Sequence, residues 1–555
     1  VRSRSANSAS RFGPAAAALV ALAFLVPVAY AVYPTVAVLS RSLVAEGSWS
    51  LRHYRTFLET PNARAALFNS LWLSLASVAL AGGIGTALAF LFGRLQFPLR
   101  APLSALVVFP YALPPLLGTL SLYYLLGPSG IVPRLLGGPL ALSGFGAVLA
   151  VHAYTLYPLF YLFVSAALRS LDRTQLEAAA ALGASPARVF REVTLPHLRP
   201  ALLGASLLVF MASMASFSAP LFFAGDRNVL SLAIYHARSY HDLGLCYAET
   251  AALAAVSLGL LVALQALGVA NPGARASGKA GAPLDRRRLA GAPGALAAAG
   301  GVALVVALLA PHLLILLLAF AKNGTWTDEV LPPVYTLENL ARLFRDPATL
   351  QPLGNSLAMA GVAAVANAAY GLVGGWLLAR RLRRGRPALT LLVLLPWALP
   401  GTVIGIALVA AFGRAHPLAF GGVLVGSWAI LPLAYFLRNL PLTVQPVEGA
   451  LARLDPAIED AARSLGAPAP RAFRLVTLPL VLPGLVAGTL LAFVNGLGEF
   501  VASVLLYTGR STWPVSVAIY SELRSFRFGT AFAYGALVLL VIGALLPLAA
   551  RLARR

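Results

Sequence analysis

Two stretches of this chain carry the same chemistry at the same spacing. The first is Asp172-Arg-Thr-Gln-Leu-Glu177-Ala178-Ala179-Ala-Ala-Leu-Gly183. The second runs from Asp455 through Asp460-Ala461-Ala462 to Gly466. Neither holds a convergent catalytic set. A carboxylate beside a face of alanines suits contact with another protein, because small side chains let a second surface come close. Aspartate is a good helix N-cap, alanine and leucine are strong helix formers, and a closing glycine supplies the left-handed residue that stops a helix. Ser185-Pro186 restarts a helix with a cap and a proline in its first turn, and Pro456 takes that place directly after Asp455. Leu195-Pro196 and Leu478-Pro479 then lead into long apolar runs. Residues 171–196 align without a gap on 454–479, a shift of 283. Each copy is therefore expected to form two short helices joined by a glycine turn, with Arg188, Arg191, Arg471 and Arg474 near lipid headgroups.

Other candidate chemistry is sparse. Gly273-Ala-Arg-Ala-Ser-Gly278-Lys279 has the spacing of a phosphate-binding loop. Ala280 stands where Mg²⁺ binding needs Ser or Thr, and no strand precedes it, so the stretch is expected to be linker. His152, His236, His241, His312 and His416 show no metal-ligand spacing, and no Ser/His/Asp set is visible. Cys246 is the only cysteine, which excludes an intrachain disulfide. Glu499 stands out in Phe493-Val-Asn495-Gly496-Leu-Gly498-Glu499-Phe500. A charge inside an apolar run is costly unless it meets water or a partner. Two roles fit it: a cation-path or gating residue, or a structural carboxylate bonded to helix N–H groups. The matching stretch of the first copy is Phe210-Met-Ala-Ser-Met-Ala-Ser216-Phe217-Ser218-Ala-Pro220. Ser216, Ser218, Asn495 and Glu499 are the candidate path residues. Glu249 is expected at the outer interface.

The elements that position these residues follow from composition. Hydrophobic residues make up 59% of the 555 and charged ones 11%, whereas a soluble domain has about 25% charged. A bilayer is the solvent that accepts such a surface, and helices satisfy their own backbone within it, so an all-α polytopic membrane protein is expected. Spans are placed near 14–39, 65–93, 102–126, 145–168, 198–223 and 247–270, then near 294–321, 353–379, 387–412, 420–440, 481–507 and 530–550. The first run contains Ala29-Tyr30-Ala31, which looks like a signal-peptidase site. It exceeds the ~7–15 residues of a signal core, so a retained helix is expected. The division is a first half at 1–270 (core repeat about 65–270), a Gly/Ala/Pro/Arg-rich linker at 271–293, and a second half at 294–555 (core repeat about 352–550). Asn69-Ser70 repeats as Asn355-Ser356, Pro110-Tyr-Ala-Leu-Pro114 as Pro396-Trp-Ala-Leu-Pro400, and Ala233-Ile234-Tyr235 as Ala518-Ile519-Tyr520. A parallel repeat of this kind places a path between its halves.

Charge sets the orientation. The net charge is +23, but the arginines sit in short clusters between apolar runs rather than in a stripe, so no nucleic-acid partner is expected. Of the 42 Lys and Arg, 28 fall in the termini, the linker and the loops 94–100, 169–199, 380–386 and 438–474. The positive-inside rule puts these, both termini included, in the cytoplasm.

The spacing Glu177-Ala178-Ala179-x3-Gly183-x9-Val193-x-Leu195-Pro196 resembles the "EAA" signature of bacterial ABC importer permeases. The copy Asp460-Ala461-Ala462-x3-Gly466-x9-Val476-x-Leu478-Pro479 matches with Asp for Glu, which keeps the charge and shortens the reach. The resemblance implies that each loop is a coupling helix docking on a cytoplasmic ABC ATPase dimer. ATP and Mg²⁺ would enter only through that partner, with no cofactor, catalytic residue or metal site in this chain. It also implies a periplasmic or extracellular substrate-binding protein and a multi-pass place in the bacterial cytoplasmic (inner) membrane. The fused form, Gly498-Glu499-Phe500 and Pro514-Val-Ser-Val-Ala-Ile-Tyr520 resemble the ferric-iron importer permeases. These belong to a wider group that also moves thiamine, aminoethylphosphonate, polyamines, sulfate and molybdate. The rival class is an ion-gradient-driven secondary transporter, which would not need duplicated docking loops. A membrane-embedded enzyme would need a convergent catalytic set that the sequence lacks.

Overall fold

The computed structural model describes residues 14–138, 140–266, 286–326, 329–382 and 384–552. Among these residues helix dominates, and the strands are two-residue pairs. Among the described residues ten helices are long and apolar enough to cross a bilayer, and a bent pair, Arg386–Ala398 with Gly401–Phe412 at 104°, makes eleven. The expected twelve is reached only by adding Ile430–Arg453. Arg438, Asn439 and Glu448 lower the hydropathy of that helix.

The architecture is a repeated three-helix core. Pro61–Arg94, Gly144–Ser170 and Leu195–Met214 pack on one another, and Pro347–Trp376, Ile430–Arg453 and Leu478–Leu497 repeat the arrangement. Glycine permits the close approach in both. A Cβ on Gly85 would lie 2.4 Å from Tyr157 O, and one on Gly371 would lie 2.5 Å from the Thr443 Cβ. Both contact pairs obey one shift of 286 residues.

Each Pro-x-x-x-Pro motif breaks its run, because proline lacks a donor and restrains the residue before it. In the first half a 3₁₀ turn at Phe109–Ala112 precedes the helix Pro115–Leu126. In the second half the chain turns sharply between Ala398 and Gly401. The expected spans 198–223 and 481–507 are also broken. Leu195–Met214 stops before the short helix Ser218–Phe223, and Leu478–Leu497 stops before Val501–Leu506.

The leading helix of each half lies against the other half. Ala17–Ser42 runs beside Gly401–Phe412, where Tyr30 Oη donates to Leu418 O at 2.8 Å. Tyr370 Oη donates to Ala23 O at 2.6 Å. In the reverse sense, Gly291–Leu318 packs on Pro115–Leu126 and accepts a bond from Tyr154 Oη to Leu308 O at 2.8 Å.

Three sequence expectations are corrected here. The span placed at 420–440 is instead a turn followed by a helix from Ile430 to Arg453, because Phe420, Gly421 and Gly426 all take positive φ. Arg438, counted with a cytoplasmic loop, lies inside that helix. The last part of the expected linker is structured: Arg287–Arg288 pairs in parallel with Leu95–Gln96, and a helix starts at Gly291. The segment 273–279 lies outside the described residues. Glu249 is only 2% exposed, with one carboxylate oxygen lacking a hydrogen-bond partner.

Candidate functional site

The repeated loops fold as their residues dictate. Asp172 accepts a bond from Thr174 N–H at 3.0 Å and caps the helix Arg173–Ala181. Asp455 accepts from Ala457 N–H at 2.9 Å and caps Pro456–Ser464. Neither helix buries a residue. Gly183 and Gly466 take φ of +81° and +89°, and Ala184 and Ala467 donate back to Ala179 O and Ala462 O at 3.1 Å. That closure is a left-handed helix stop which an L side chain would strain. Ser185 then caps the next turn at Arg188 N–H, and a single wide helical turn, Phe190–Thr194 or Phe473–Thr477, leads into the core helix.

Leu182 and Leu465, immediately before the two glycines, are 88% and 90% exposed. Sequence reasoning passed over them as helix formers, although their place beside a left-handed turn was the available signal. The carboxylates differ between copies. Glu177 pairs with Arg173 at 2.5 Å. In the second copy the neighbouring Glu459 accepts from Thr477 Oγ1 at 2.7 Å and ties the loop to its core helix. A surface hollow of about 630 Å³ beside the second turn is lined by Asp460, Arg463, Ser464, Gly466, Ala467 and Pro468.

The candidate path residues gather at the two helix breaks. Phe217 and Phe500, at equivalent breaks, meet across the halves with ring centroids 5.9 Å apart. Tyr235 packs edge-on to Phe217 at 5.4 Å, and Tyr520 lies 5.6 Å from Phe500. A Cβ on Gly498 would sit 2.9 Å from Pro114 Cβ, so the first half's proline motif abuts the second half's break. The arrangement is an aromatic seal between the halves.

One polar link braces each break. In the first half His152 Nε2 bonds Ser216 Oγ at 2.8 Å, while its Nδ1 meets Ser77 Oγ at 2.8 Å and Ser213 Oγ at 3.1 Å. In the second half Arg438 donates to Glu499 at 2.6 Å. Arg438 stands 286 residues after His152, and Glu499 stands 283 after Ser216. Glu499 also accepts from Ala502 N–H at 3.0 Å, which caps Val501–Leu506. Its carboxylate therefore has both an ionic partner and the helix N–H bond expected of a structural group. Asn495 is exposed and donates to Asn439 Oδ1 at 3.3 Å. Ser218 is buried behind the seal, and its hydroxyl lacks a partner.

The other repeated motifs meet one another in space. Ser70 Oγ accepts from Leu230 N–H at 2.8 Å, and Ser356 Oγ accepts from Val515 N–H at 2.7 Å. Asn69 donates to Asn228 O at 2.9 Å and Asn355 to Trp513 O at 3.0 Å. Each Asn-Ser pair thus pins the start of the helix that carries Tyr235 or Tyr520, Leu230–Ser239 and Val515–Arg524 respectively.

Two matched bundles joined at a seal, each bearing an exposed pair of short helices, define a membrane transport permease. The chain belongs to the family described as the binding-protein-dependent transport system inner membrane component, whose model matches residues 85–272 and 371–555. A probable ABC transporter permease, y4fN of Sinorhizobium fredii, is 29% identical over 88% of this chain and 87% of its own length. The ferric transport system permease FbpB of Actinobacillus pleuropneumoniae is 26% identical over 93% of this chain and 75% of its own. The molybdenum transport system permease ModB of Escherichia coli is 37% identical over 31% of this chain and 78% of its own. The chain is an ABC importer permease of fused, two-half form.

Proposed function

We propose that this permease forms the path of a ferric-iron importer. In this reading both repeated loops lie in the cytoplasm, where each docks on one subunit of an ABC ATPase dimer. ATP and Mg²⁺ act only there, a soluble binding protein delivers substrate on the opposite face, and both termini are cytoplasmic. One observation carries the coupling role. Two capped helices with no buried residue end in Leu182 and Leu465, and beyond its glycine turn each loop runs through a second short helix into a core helix that stops just before the seal. A push on either loop therefore moves Phe217 or Phe500.

The iron assignment rests on the fused architecture and on similarity to a ferric system permease over 93% of this chain and 75% of that relative. It gains nothing from Glu499, because Arg438 cancels its charge. Molybdate or sulfate is the second reading, favoured by the higher identity of a molybdenum system permease over a shorter stretch. The test is reconstitution in liposomes with the partner ATPase and binding protein. ATP-dependent ⁵⁵Fe uptake is expected, and ATP-dependent molybdate uptake without iron uptake would overturn the iron reading. Transport driven by an ion gradient without the ATPase would overturn the importer reading itself.

A further inference from the structure

The structured end of the linker gathers charge. Arg287–Arg288 lies in parallel register with Leu95–Gln96, and Leu289 N–H donates to Gln96 O at 2.9 Å. This bridge brings three consecutive arginines, Arg286, Arg287 and Arg288, beside two more. Arg94 ends the helix Pro61–Arg94, and Arg100 folds back so that its Nε donates to Phe92 O at 2.8 Å. Burial and the neighbouring Arg286 both hold the Arg100 guanidinium below its ordinary pKa. Among the described residues no carboxylate pairs with any of the five.

Five like charges held together by backbone pairing repel one another unless an anion sits among them. A cluster of this size at the end of a membrane helix is the footprint of an acidic headgroup. Guanidinium is also the side chain best shaped for phosphate oxygens. The helix Gly291–Leu318 begins just after Arg288 and exposes Leu296, Val302 and Val306. An apolar strip thus starts where the basic cluster stops.

We propose that this cluster binds the phosphodiester headgroup of an anionic phospholipid, with the acyl chains along the exposed side of Gly291–Leu318. The site needs only the membrane setting and is independent of the substrate. Bound lipid places a negative charge among the five arginines, lowers their mutual repulsion and so fastens the second half's leading helix to the first half at Leu95–Gln96.

The test uses the full chain in nanodiscs of phosphatidylcholine with and without phosphatidylglycerol. The readouts are the thermal unfolding midpoint and the phosphatidylglycerol retained on detergent extraction. The variant is R286Q/R287Q/R288Q, with R286K/R287K/R288K as a charge-conserving control. At roughly fivefold per basic residue near a charged surface, the glutamine variant should bind phosphatidylglycerol roughly a hundredfold more weakly and lose the lipid-dependent rise in midpoint. The lysine variant should keep most of both. If the glutamine variant does not fold, the single change R287Q should still lower retention about fivefold. Equal lipid dependence in wild type and glutamine variant would overturn the proposal. So would an equal rise from inorganic phosphate in pure phosphatidylcholine, which would mark a free-anion site. Loss of ATPase co-purification with unchanged lipid retention would also overturn it, assigning the cluster to the ATPase.

Discussion

Arg438 and Glu499 form the link whose chemistry differs most between the halves. The first half makes the same brace between His152 and Ser216. Removing one member of a partly buried ion pair strands the other. Arg438→Ala should therefore destabilise the protein by about 2–4 kcal/mol, discounted from a fully buried pair because its side chain is 27% exposed. The double change Arg438→Ala, Glu499→Ala should cost less than Arg438→Ala alone, as read from thermal unfolding in detergent. Glu499→Gln keeps an acceptor for Ala502 N–H, so assembly should persist while uptake falls. Unchanged uptake would leave Glu499 a purely structural group. Leu182 and Leu465 belong at this scale as well. If they fill hollows on the ATPase, Leu182→Ala with Leu465→Ala should weaken co-purification by at least tenfold, at about 1–2 kcal/mol for each buried leucine. Undiminished co-purification would remove them from the docking surface.

At the scale of the element, the Asn-Ser pairs and the glycine stops decide where helices begin and end. Ser70→Ala with Ser356→Ala would leave the buried N–H groups of Leu230 and Val515 without acceptors. Each unsatisfied donor costs about 1–3 kcal/mol, so the double variant should unfold at a clearly lower temperature than either single one. Additive shifts would fit two separate pins, whereas no shift would show that water replaces the hydroxyls. Gly183→Pro with Gly466→Pro forces φ near −65° where +81° and +89° are needed. Both loop helices should be redirected and, if they dock, ATPase association lost, while the spans remain inserted. Normal association of that variant would refute the docking role.

At the scale of the whole molecule, the leading helices matter most. Ala17–Ser42 and Gly291–Leu318 each clasp the opposite half, so the halves should not behave as separate units. Co-expression of residues 1–270 with 271–555 as two chains should therefore give a complex that co-purifies in detergent. Independent migration of the two pieces would contradict the exchange of helices.

Composition, the apolar runs and the gapless repeat determined the membrane class, the two-half plan and the secondary structure of the repeated loops. These rest on local chemistry: an aspartate caps, a glycine turns, and a run of about 20 apolar residues needs lipid. The repeats at Asn69-Ser70 and Ala233-Ile234-Tyr235 were legible as repeats, but nothing local says that the first would hold the start of the helix carrying the second. Arg438 reads as a loop residue when the apolar run from 420 is taken as the span, because positive φ at Phe420 and Gly421, which delays the helix to Ile430, is not visible in an apolar stretch. Only the tertiary structure decided that Glu499 is paired, that Phe217 meets Phe500 and that each leading helix crosses to the other half. Those facts depend on contacts between residues from 61 to 347 positions apart, and periodicity carries no information about distance across the fold.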